Sequence, residues 1–191
     1  MVKKNQSMSD DWYDTAQICT NGHVINWMSV SKPEYNRRFC DKCGAQAITN
    51  CQYCNAIIRG YYHKGRFTME KYDRRIREAL DAIPDPMLDY NTTLTRPIFC
   101  PDCGKPYPWT EAKLKAAQEL ADELDNLSPE ERDLLKKSLD DIMLDTPQTI
   151  VAATRFKKIA AKAGKATVKE LRKLVVDIAS ETAKKIIFES R

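Results

Sequence analysis

The stretch FCDKCGAQAITNCQYC, residues 39–54, holds two Cys-x-x-Cys pairs, Cys40 with Cys43 and Cys51 with Cys54, with seven residues between them. A Cys-x-x-Cys pair on a tight turn, here called a knuckle, places two thiolates about 2.3 Å from one zinc ion, and a second pair completes the tetrahedron. We therefore expect metal to hold this part of the chain together.

Two further pairs of metal-binding residues flank this stretch. Upstream, Cys19 and His23 stand on the two arms of an Asn-Gly turn, and downstream Cys100 and Cys103 form another Cys-x-x-Cys pair. Seven cysteines cannot close two four-ligand sites, so His23 supplies the eighth ligand. The sequence predicts two structural Zn²⁺ ions held by Cys19, His23, Cys40, Cys43, Cys51, Cys54, Cys100 and Cys103.

Reduced thiols are expected rather than disulfides. The cysteine count is odd, and the start, MVKKNQ, lacks the apolar segment of a signal peptide. No apolar run approaches the roughly 20 residues that a membrane span needs. We therefore expect a cytoplasmic protein.

An internal repeat indicates which ligand pairs share an ion. FCDKCG at 39–44 and FCPDCG at 99–104 both place an aromatic residue before the knuckle and a glycine after it. This favours sequential pairing, with the first four ligands on one ion and the last four on the other. Two other arrangements stay open. In one, the two central pairs bind an ion of their own as a compact ribbon, and the two outer pairs share the other ion. In the other, which is cross-braced, the first and third pairs along the chain share one ion and the second and fourth pairs share the other.

The pattern divides the chain into three parts. Residues 1–11 are polar and are predicted to be disordered. Residues 12–109 hold the ligands and an amphipathic stretch near 69–83 that predicts a helical insertion, while residues 110–191 have helical periodicity throughout. The expected fold class is α+β: a small double zinc-ribbon (treble-knuckle β) module, followed by an all-α domain of about four helices.

Capping residues mark the four helices. They are predicted over about 111–127, from Ser128-Pro129 onward, from Thr146-Pro147 to Gly164, and from Thr167 to about Phe188. Because Ala-rich seams bury little surface, we expect the long fourth helix to pack against another copy. The domain is therefore predicted to form a homo-oligomer or to bind a protein partner.

Charge is divided unevenly within the helical part. Residues 111–145 hold 5 basic and 11 acidic side chains, net −6, and residues 146–191 hold 11 basic and 4 acidic side chains, net +7. The second segment combines Lys and Arg with an Ile/Val face. Association with an anionic membrane is therefore one alternative function.

A basic cluster in the zinc module suggests another alternative, a nucleic-acid-binding regulator. Global charge does not favour it, because seven thiolates and two Zn²⁺ lower the formal charge from +4 to about +1. A solvated helix face is the simpler explanation of the cluster. The candidate phosphate contacts, beside Tyr61 and Tyr62, are Arg59, Lys64, Arg66, Arg74, Arg75 and Arg77.

No catalytic residue is predicted. A catalytic zinc keeps an open position for water, whereas all eight ligands are needed here to close two sites. The chain also has no phosphate-binding Gly-rich loop, and every cysteine is already assigned to a metal. The sequence favours a non-enzymatic binding or adaptor protein.

The ligand order resembles that of a family of uncharacterised bacterial proteins with a double zinc ribbon. The resemblance rests on Cys-x-Asn-Gly-His at 19–23, Cys-x-x-Cys-Gly at 40–44, Cys-x-x-Cys at 51–54 and Cys-Pro-x-Cys-Gly-x-Pro-x-Pro-Trp-Thr at 100–110, and it covers about residues 12–110. It implies a bacterial or phage origin and carries no established activity. The insertion between Ile58 and Cys100 is longer than is usual in that family.

Overall fold

The computed structural model describes residues 12–63 and 94–189. The predicted disordered tail at 1–11 and the predicted helical insertion at 69–83 lie outside these ranges. The chain divides into two compact units, residues 1–105 and residues 106–191. The fold is α+β as predicted, with short strands and two cysteine clusters in the first unit and helices in the second.

Short antiparallel strands form two small sheets in the described part of the first unit. Strand β1 (Trp12–Thr15) pairs with β5 (Arg59–His63), and β2 (Gln17–Cys19) lies between β3 (Val24–Asn26) and β4 (Ala47–Ile48). Apart from cysteines, the buried apolar residues described here are Ala16, Ile18 and Ile58. This is a small core for the described part of the unit, so metal ions held by its two cysteine clusters would contribute much of its stability.

A buried carboxylate, Asp14 in β1, connects that strand to the segment after β3. Its Oδ1 accepts hydrogen bonds from the N–H groups of Thr15 and Val30 at 2.7 and 3.0 Å. Its Oδ2 accepts from the N–H and the hydroxyl of Ser31 at 3.2 and 2.5 Å, and His63 Nε2 lies 3.1 Å from the same oxygen. Burial raises the pKa of Asp14, but these hydrogen bonds outweigh it and hold the pKa below the ordinary 3.8.

Replacing Asp14 with asparagine is expected to destabilise the first unit by about 1–3 kcal/mol at pH 7, because an amide NH₂ would then face N–H donors. The folded-state pKa is lowered, so the carboxylate's contribution is fully present above pH 3.8 and is lost as pH falls through the folded-state value. Denaturant unfolding followed by tryptophan fluorescence measures the loss. Glu34→Gln, at an exposed carboxylate, is the control, and equal stability of the two variants would contradict the prediction.

The second unit contains helices in its described residues. They are α1 (Pro108–Asp122), α2 (Pro129–Met143), α3 (Pro147–Lys162), α4 (Lys165–Val175) and α5 (Glu181–Lys184), the last continued by a π-helical turn (Lys185–Glu189). Helix α2 begins as predicted, because the Ser128 hydroxyl accepts from the N–H of Glu131 and the Glu131 carboxylate accepts from the N–H of Ser128. Helix α1 begins earlier than predicted and ends at Asp122, short of the predicted end at 127.

The prediction of one continuous fourth helix is wrong. Helix α4 begins at Lys165 rather than Thr167 and ends at Val175, and a new helix begins after Ser180. The N–H of Ser180 donates to the carbonyl of Ile142 at 2.8 Å, which holds this backbone out of the helix. The expectation that an unbroken last helix packs against another copy therefore loses its basis.

Most of the large apolar residues of 146–191 lie in the core of the second unit or pack against it. Leu171, Val175, Ile178 and Ile187 have at most 2% of their surface exposed. The membrane hypothesis needs a free apolar face, and Ile150, Val151 and Val176 are exposed, so it stays a prediction. Among the described helices, none is long and apolar enough to cross a membrane.

Candidate metal centres

The three Cys-x-x-Cys turns share one backbone conformation. In the first, the N–H of Gly44 donates to the carbonyl of Cys40 at 2.8 Å, and the N–H of Cys40 donates to the carbonyl of Ala45 at 2.8 Å. The same two bonds recur at 2.9 and 2.8 Å in the turn at 51–56, and again in the turn at 100–105. Each turn therefore holds its two sulfurs on the same side of a closed loop.

The fifth residue of each knuckle has a positive φ, of +70° at Gly44, +62° at Asn55 and +70° at Gly104. Glycine adopts this conformation freely, and asparagine is among the other residues that tolerate it best. The sequence repeat identified the two glycines but missed Asn55. The sequence feature that could have identified Asn55 is its position directly after the second cysteine, where the other two knuckles have glycine.

The first ligand pair lies on a different turn. The N–H of Gly22 donates to the carbonyl of Cys19 at 2.7 Å, and the N–H of Cys19 donates to the carbonyl of His23 at 3.0 Å. The N–H of His23 also points at the Cys19 sulfur, at 3.2 Å. Gly22, with a φ of +86°, gives the chain its tight reversal, so the thiol and the imidazole face the same point.

Centre 1 is formed by Cys19, His23, Cys40 and Cys43, whose ligand atoms all lie within 4.8 Å of one another. The Cys19 sulfur is 3.7 Å from both the Cys43 sulfur and His23 Nδ1, and Nδ1 is 3.3 and 3.6 Å from the sulfurs of Cys43 and Cys40. In a tetrahedral zinc site, sulfurs about 2.3 Å from the ion stand about 3.8 Å apart, and a nitrogen about 2.1 Å from the ion stands about 3.6 Å from each sulfur. The spacing therefore fits one tetrahedral metal ion.

Centre 2 is formed by Cys51, Cys54, Cys100 and Cys103, again with all ligand atoms within 4.8 Å. The Cys51 and Cys103 sulfurs are 3.8 Å apart, and those of Cys54 and Cys100 are 3.6 Å apart. A disulfide would require about 2.05 Å, and all seven cysteines are free thiols. This set also fits one tetrahedral ion.

These two sets of four residues are the sets that the sequential pairing predicted. The repeat of knuckle, strand and knuckle thus indicated the correct partners. Neither the central ribbon nor the cross-braced arrangement is present among the described residues.

The thiols of these centres differ in how readily they ionise. The N–H of Ala45 points at the Cys43 sulfur and, with help from His23 and Asn21, lowers the pKa of that thiol from 9.0 to about 6. In centre 2 the N–H of Ala56 favours the Cys54 thiolate, but partial desolvation and the three other thiols of its set oppose it and raise the pKa of Cys54 to about 12. A bound divalent cation would stabilise the thiolates of the set, so the thiols that are still protonated would release their protons when the metal binds.

Arg96 connects the approach to Cys100 with centre 1. Its guanidinium donates to the carbonyl of Gly22 at 2.6 Å, inside the Cys19–His23 turn. Sequence reasoning did not single out this arginine, because no spacing rule relates it to Gly22. It holds the chain segment of one centre against the turn of the other.

The predicted nucleic-acid contacts are mostly not described. Arg59 is exposed, and its guanidinium lies 5.4 Å from the centre of the Tyr13 ring. The basic cluster stays a prediction. Its other members, which lie outside the described residues, are Lys64, Arg66, Arg74, Arg75 and Arg77.

One family profile matches the chain over residues 12–76 and 72–187. The match continues through the helical unit, beyond residues 12–110, which carried the resemblance seen in the sequence. Its two segments overlap inside the long stretch between Ile58 and Cys100. The family's description does not mention a zinc ribbon. No curated protein and no solved structure matches the chain. The chain belongs to the bacterial family described as uncharacterised proteins conserved in bacteria (DUF2321).

Proposed function

We propose that this protein is a non-enzymatic adaptor, in which two structural zinc ions hold the first unit and the second unit joins two copies of the chain. The observation that carries the proposal is the use of eight residues in two complete four-ligand sets. Catalytic zinc has three protein ligands and an open position for water, whereas structural zinc has four.

Zinc is the metal that suits these donors best. Tetrahedral sets rich in sulfur select zinc or iron, and the imidazole of His23 beside three thiolates in centre 1 favours zinc. Thiolate ligands must stay reduced, so we also expect the protein to work in the cytoplasm.

An exposed apolar surface on α2 and α3 supports self-association. The exposed fractions of Leu134, Ile150 and Val151 are 43%, 56% and 49%. With Ile159 they line a groove of about 520 Å³. Large aliphatic side chains grouped in this way are typical of surfaces that another protein covers.

The charges around this groove suit a second copy of the same chain. Glu131 lies on the same groove as Arg155 and Lys158, which form no ion pair among the residues described. A two-fold interface places one patch against its own copy, so it needs both charge signs on that patch. Glu131 also pairs with Lys162 of its own chain, so it is shared between that lysine and the partner, and the apolar residues contribute most of the proposed contact.

The double substitution Ile150→Glu with Val151→Glu is expected to convert a dimer into a monomer, because it places like charges at the centre of the apolar contact. We expect the dimer dissociation constant to rise at least about a hundredfold. Sedimentation equilibrium over a range of protein concentrations measures it.

The matched control is Val176→Glu, at a residue 40% exposed directly after α4 and outside this groove. It is expected to leave the dimer intact. A wild-type chain that sediments as a monomer at every concentration would refute the self-association. An equal rise of the dimer dissociation constant in the control and in the double variant would also refute it.

Nucleic-acid binding and membrane association stay as alternatives, but no specific contact favours either. Five of the six basic candidates for nucleic-acid binding lie outside the described residues. Most of the apolar residues proposed for a membrane are buried in the helical core or pack against it, whereas Ile150, Val151 and Val176 are exposed.

A further inference from the structure

A second groove lies on the helical unit, beside α4. Its apolar wall is formed by Ala161, Val168, Val176 and Phe188, and its volume is about 740 Å³. This volume falls in the range of about 300–1,000 Å³ that is typical of small-molecule sites. Val176 is 40% exposed, so part of the wall is open to solvent.

Three cationic side chains of α4, Lys169, Arg172 and Lys173, line the same groove. The Arg172 guanidinium lies 5.8 Å from the centre of the Phe188 ring and donates to the carbonyl of Ile187 at 3.4 Å. These two contacts hold it beside the apolar wall.

The groove keeps a net positive charge. Lys173 forms an ion pair with Glu170 at 2.8 Å, so this one glutamate is counted against the three cations of the groove. Lys169 is exposed and forms no ion pair within the described part of the chain. With one acid against three cations, the groove favours an anionic ligand.

The arrangement of charge decides what kind of ligand fits. A second copy of the chain placed with this groove against its own copy would bring cations against cations. The three cations span positions 169 to 173, about 6 Å along the helix axis, which is little more than one turn. They therefore lie close enough together to contact one anionic group, which would fit them better than a row of acidic side chains.

We propose that this groove binds a single soluble anionic amphiphile, a long-chain carboxylate. Its head group lies among Lys169, Arg172 and Lys173, and its acyl chain lies along Val176 and Phe188. A groove of this shape can hold one acyl chain along its apolar wall, whereas a membrane surface would need a convex apolar face. This inference depends neither on the zinc centres nor on self-association.

Isothermal titration of the full-length, zinc-loaded protein with decanoate tests the proposal. We expect one decanoate to bind per chain, with acetate giving no measurable binding and 1-decanol binding at least about tenfold more weakly. Decanol has the same chain length without the charge, and acetate has the charge without the chain. No binding of decanoate, or equal binding of decanol, would overturn the proposal.

Two substitutions and one control locate the site. Lys169→Glu and Val176→Glu are each expected to weaken decanoate binding at least about tenfold, while Lys158→Glu, the same charge change in the α2–α3 groove, stays within about twofold. Circular dichroism checks that each variant is folded, as expected for exposed positions. An equal effect of Lys158→Glu and Lys169→Glu would overturn the assignment.

Two further comparisons distinguish a soluble ligand in this groove from a membrane surface and from a ligand in the α2–α3 groove. Binding to phosphatidylglycerol vesicles without binding to decanoate would show a membrane surface instead of a soluble ligand, and would overturn it. The Ile150→Glu, Val151→Glu double variant should bind decanoate as the wild type does, whether or not it dimerises. Loss of binding in that variant would place the ligand in the other groove.

Discussion

Replacing Cys54 with serine is expected to lower the zinc content from two ions per chain to one. Cys54 is exposed, so the change leaves no cavity, and its effect comes from the lost thiolate. Zinc binding in small zinc modules contributes about 10–16 kcal/mol, and a typical domain has only about 5–15 kcal/mol of stability. We therefore expect the part of the first unit around centre 2 to unfold.

Zinc content after dialysis, measured by mass spectrometry, checks this expectation, and circular dichroism follows the fold. The matched control is Lys42→Ser, an exposed residue between Cys40 and Cys43, which should keep both ions. Helical signal should persist in every variant, because the core cluster of the second unit begins at Ala117 and contains none of the ligands. Two tightly held ions in Cys54→Ser would refute the assignment of this ligand.

Double variants test the pairing of the ligands. Cys51→Ser with Cys54→Ser removes two ligands from centre 2, so one ion should remain in centre 1. Cys43→Ser with Cys54→Ser removes one ligand from each centre, so both ions should be lost. If Cys43→Ser with Cys54→Ser kept one ion, these two cysteines would share a centre, as in the central ribbon arrangement.

Replacing Gly60 with alanine is expected to destabilise the first unit by about 3 kcal/mol or more. A Cβ atom at Gly60, in β5, would lie 2.1 Å from the carbonyl oxygen of Trp27, 2.8 Å from the nitrogen of Ala16 and 2.9 Å from the carbonyl carbon of Thr15. All three are backbone atoms, so no side chain can rotate to relieve the overlap, and the effect should reach the upper end of overpacking costs. The N–H of Tyr61 also donates to Trp27 at 2.8 Å, and a shift of the strand would break this bond.

Gly104→Ala is the matched control. A Cβ there would meet nothing within 4 Å, so only the positive φ of +70° opposes the substitution, at a cost of about 1–2 kcal/mol. Denaturant unfolding of the zinc-loaded variants compares the two. If Gly60→Ala were no less stable than Gly104→Ala, the close approach of β5 to Trp27 would be wrong.

The metal centres show how far local spacing carries a prediction. A Cys-x-x-Cys turn has nearly the same conformation wherever it occurs, so each of the three knuckles was visible in the residues themselves. The shared Phe-Cys-x-x-Cys-Gly pattern then indicated that Cys54 and Cys100 belong to one centre, although they are 46 positions apart. Asn55 was missed because it adopts the conformation of a glycine without being one.

The last helix shows where local spacing fails. Leu171, Val175, Ile178 and Ala179 follow helical periodicity, so the sequence predicted a helix that continues past Val175. The chain instead leaves the helix there, and Ser180 donates its N–H to Ile142 at the end of α2. Tertiary contact thus overrides periodicity, because a backbone hydrogen bond to a neighbouring helix cannot be inferred from the spacing of apolar residues.

The sequence by itself determined the eight residues of the two candidate metal centres, their order along the chain, the two-part α+β organisation and the capped start of α2. These features depend on residues within a few positions of one another, where chain geometry leaves few options. Only the tertiary structure decided that Asp14 is buried among hydrogen-bond donors, that Gly60 touches the backbone of Trp27, and that two grooves remain open on the helical unit. Each of these depends on which distant segments pack together, because packing determines which side chains stay exposed.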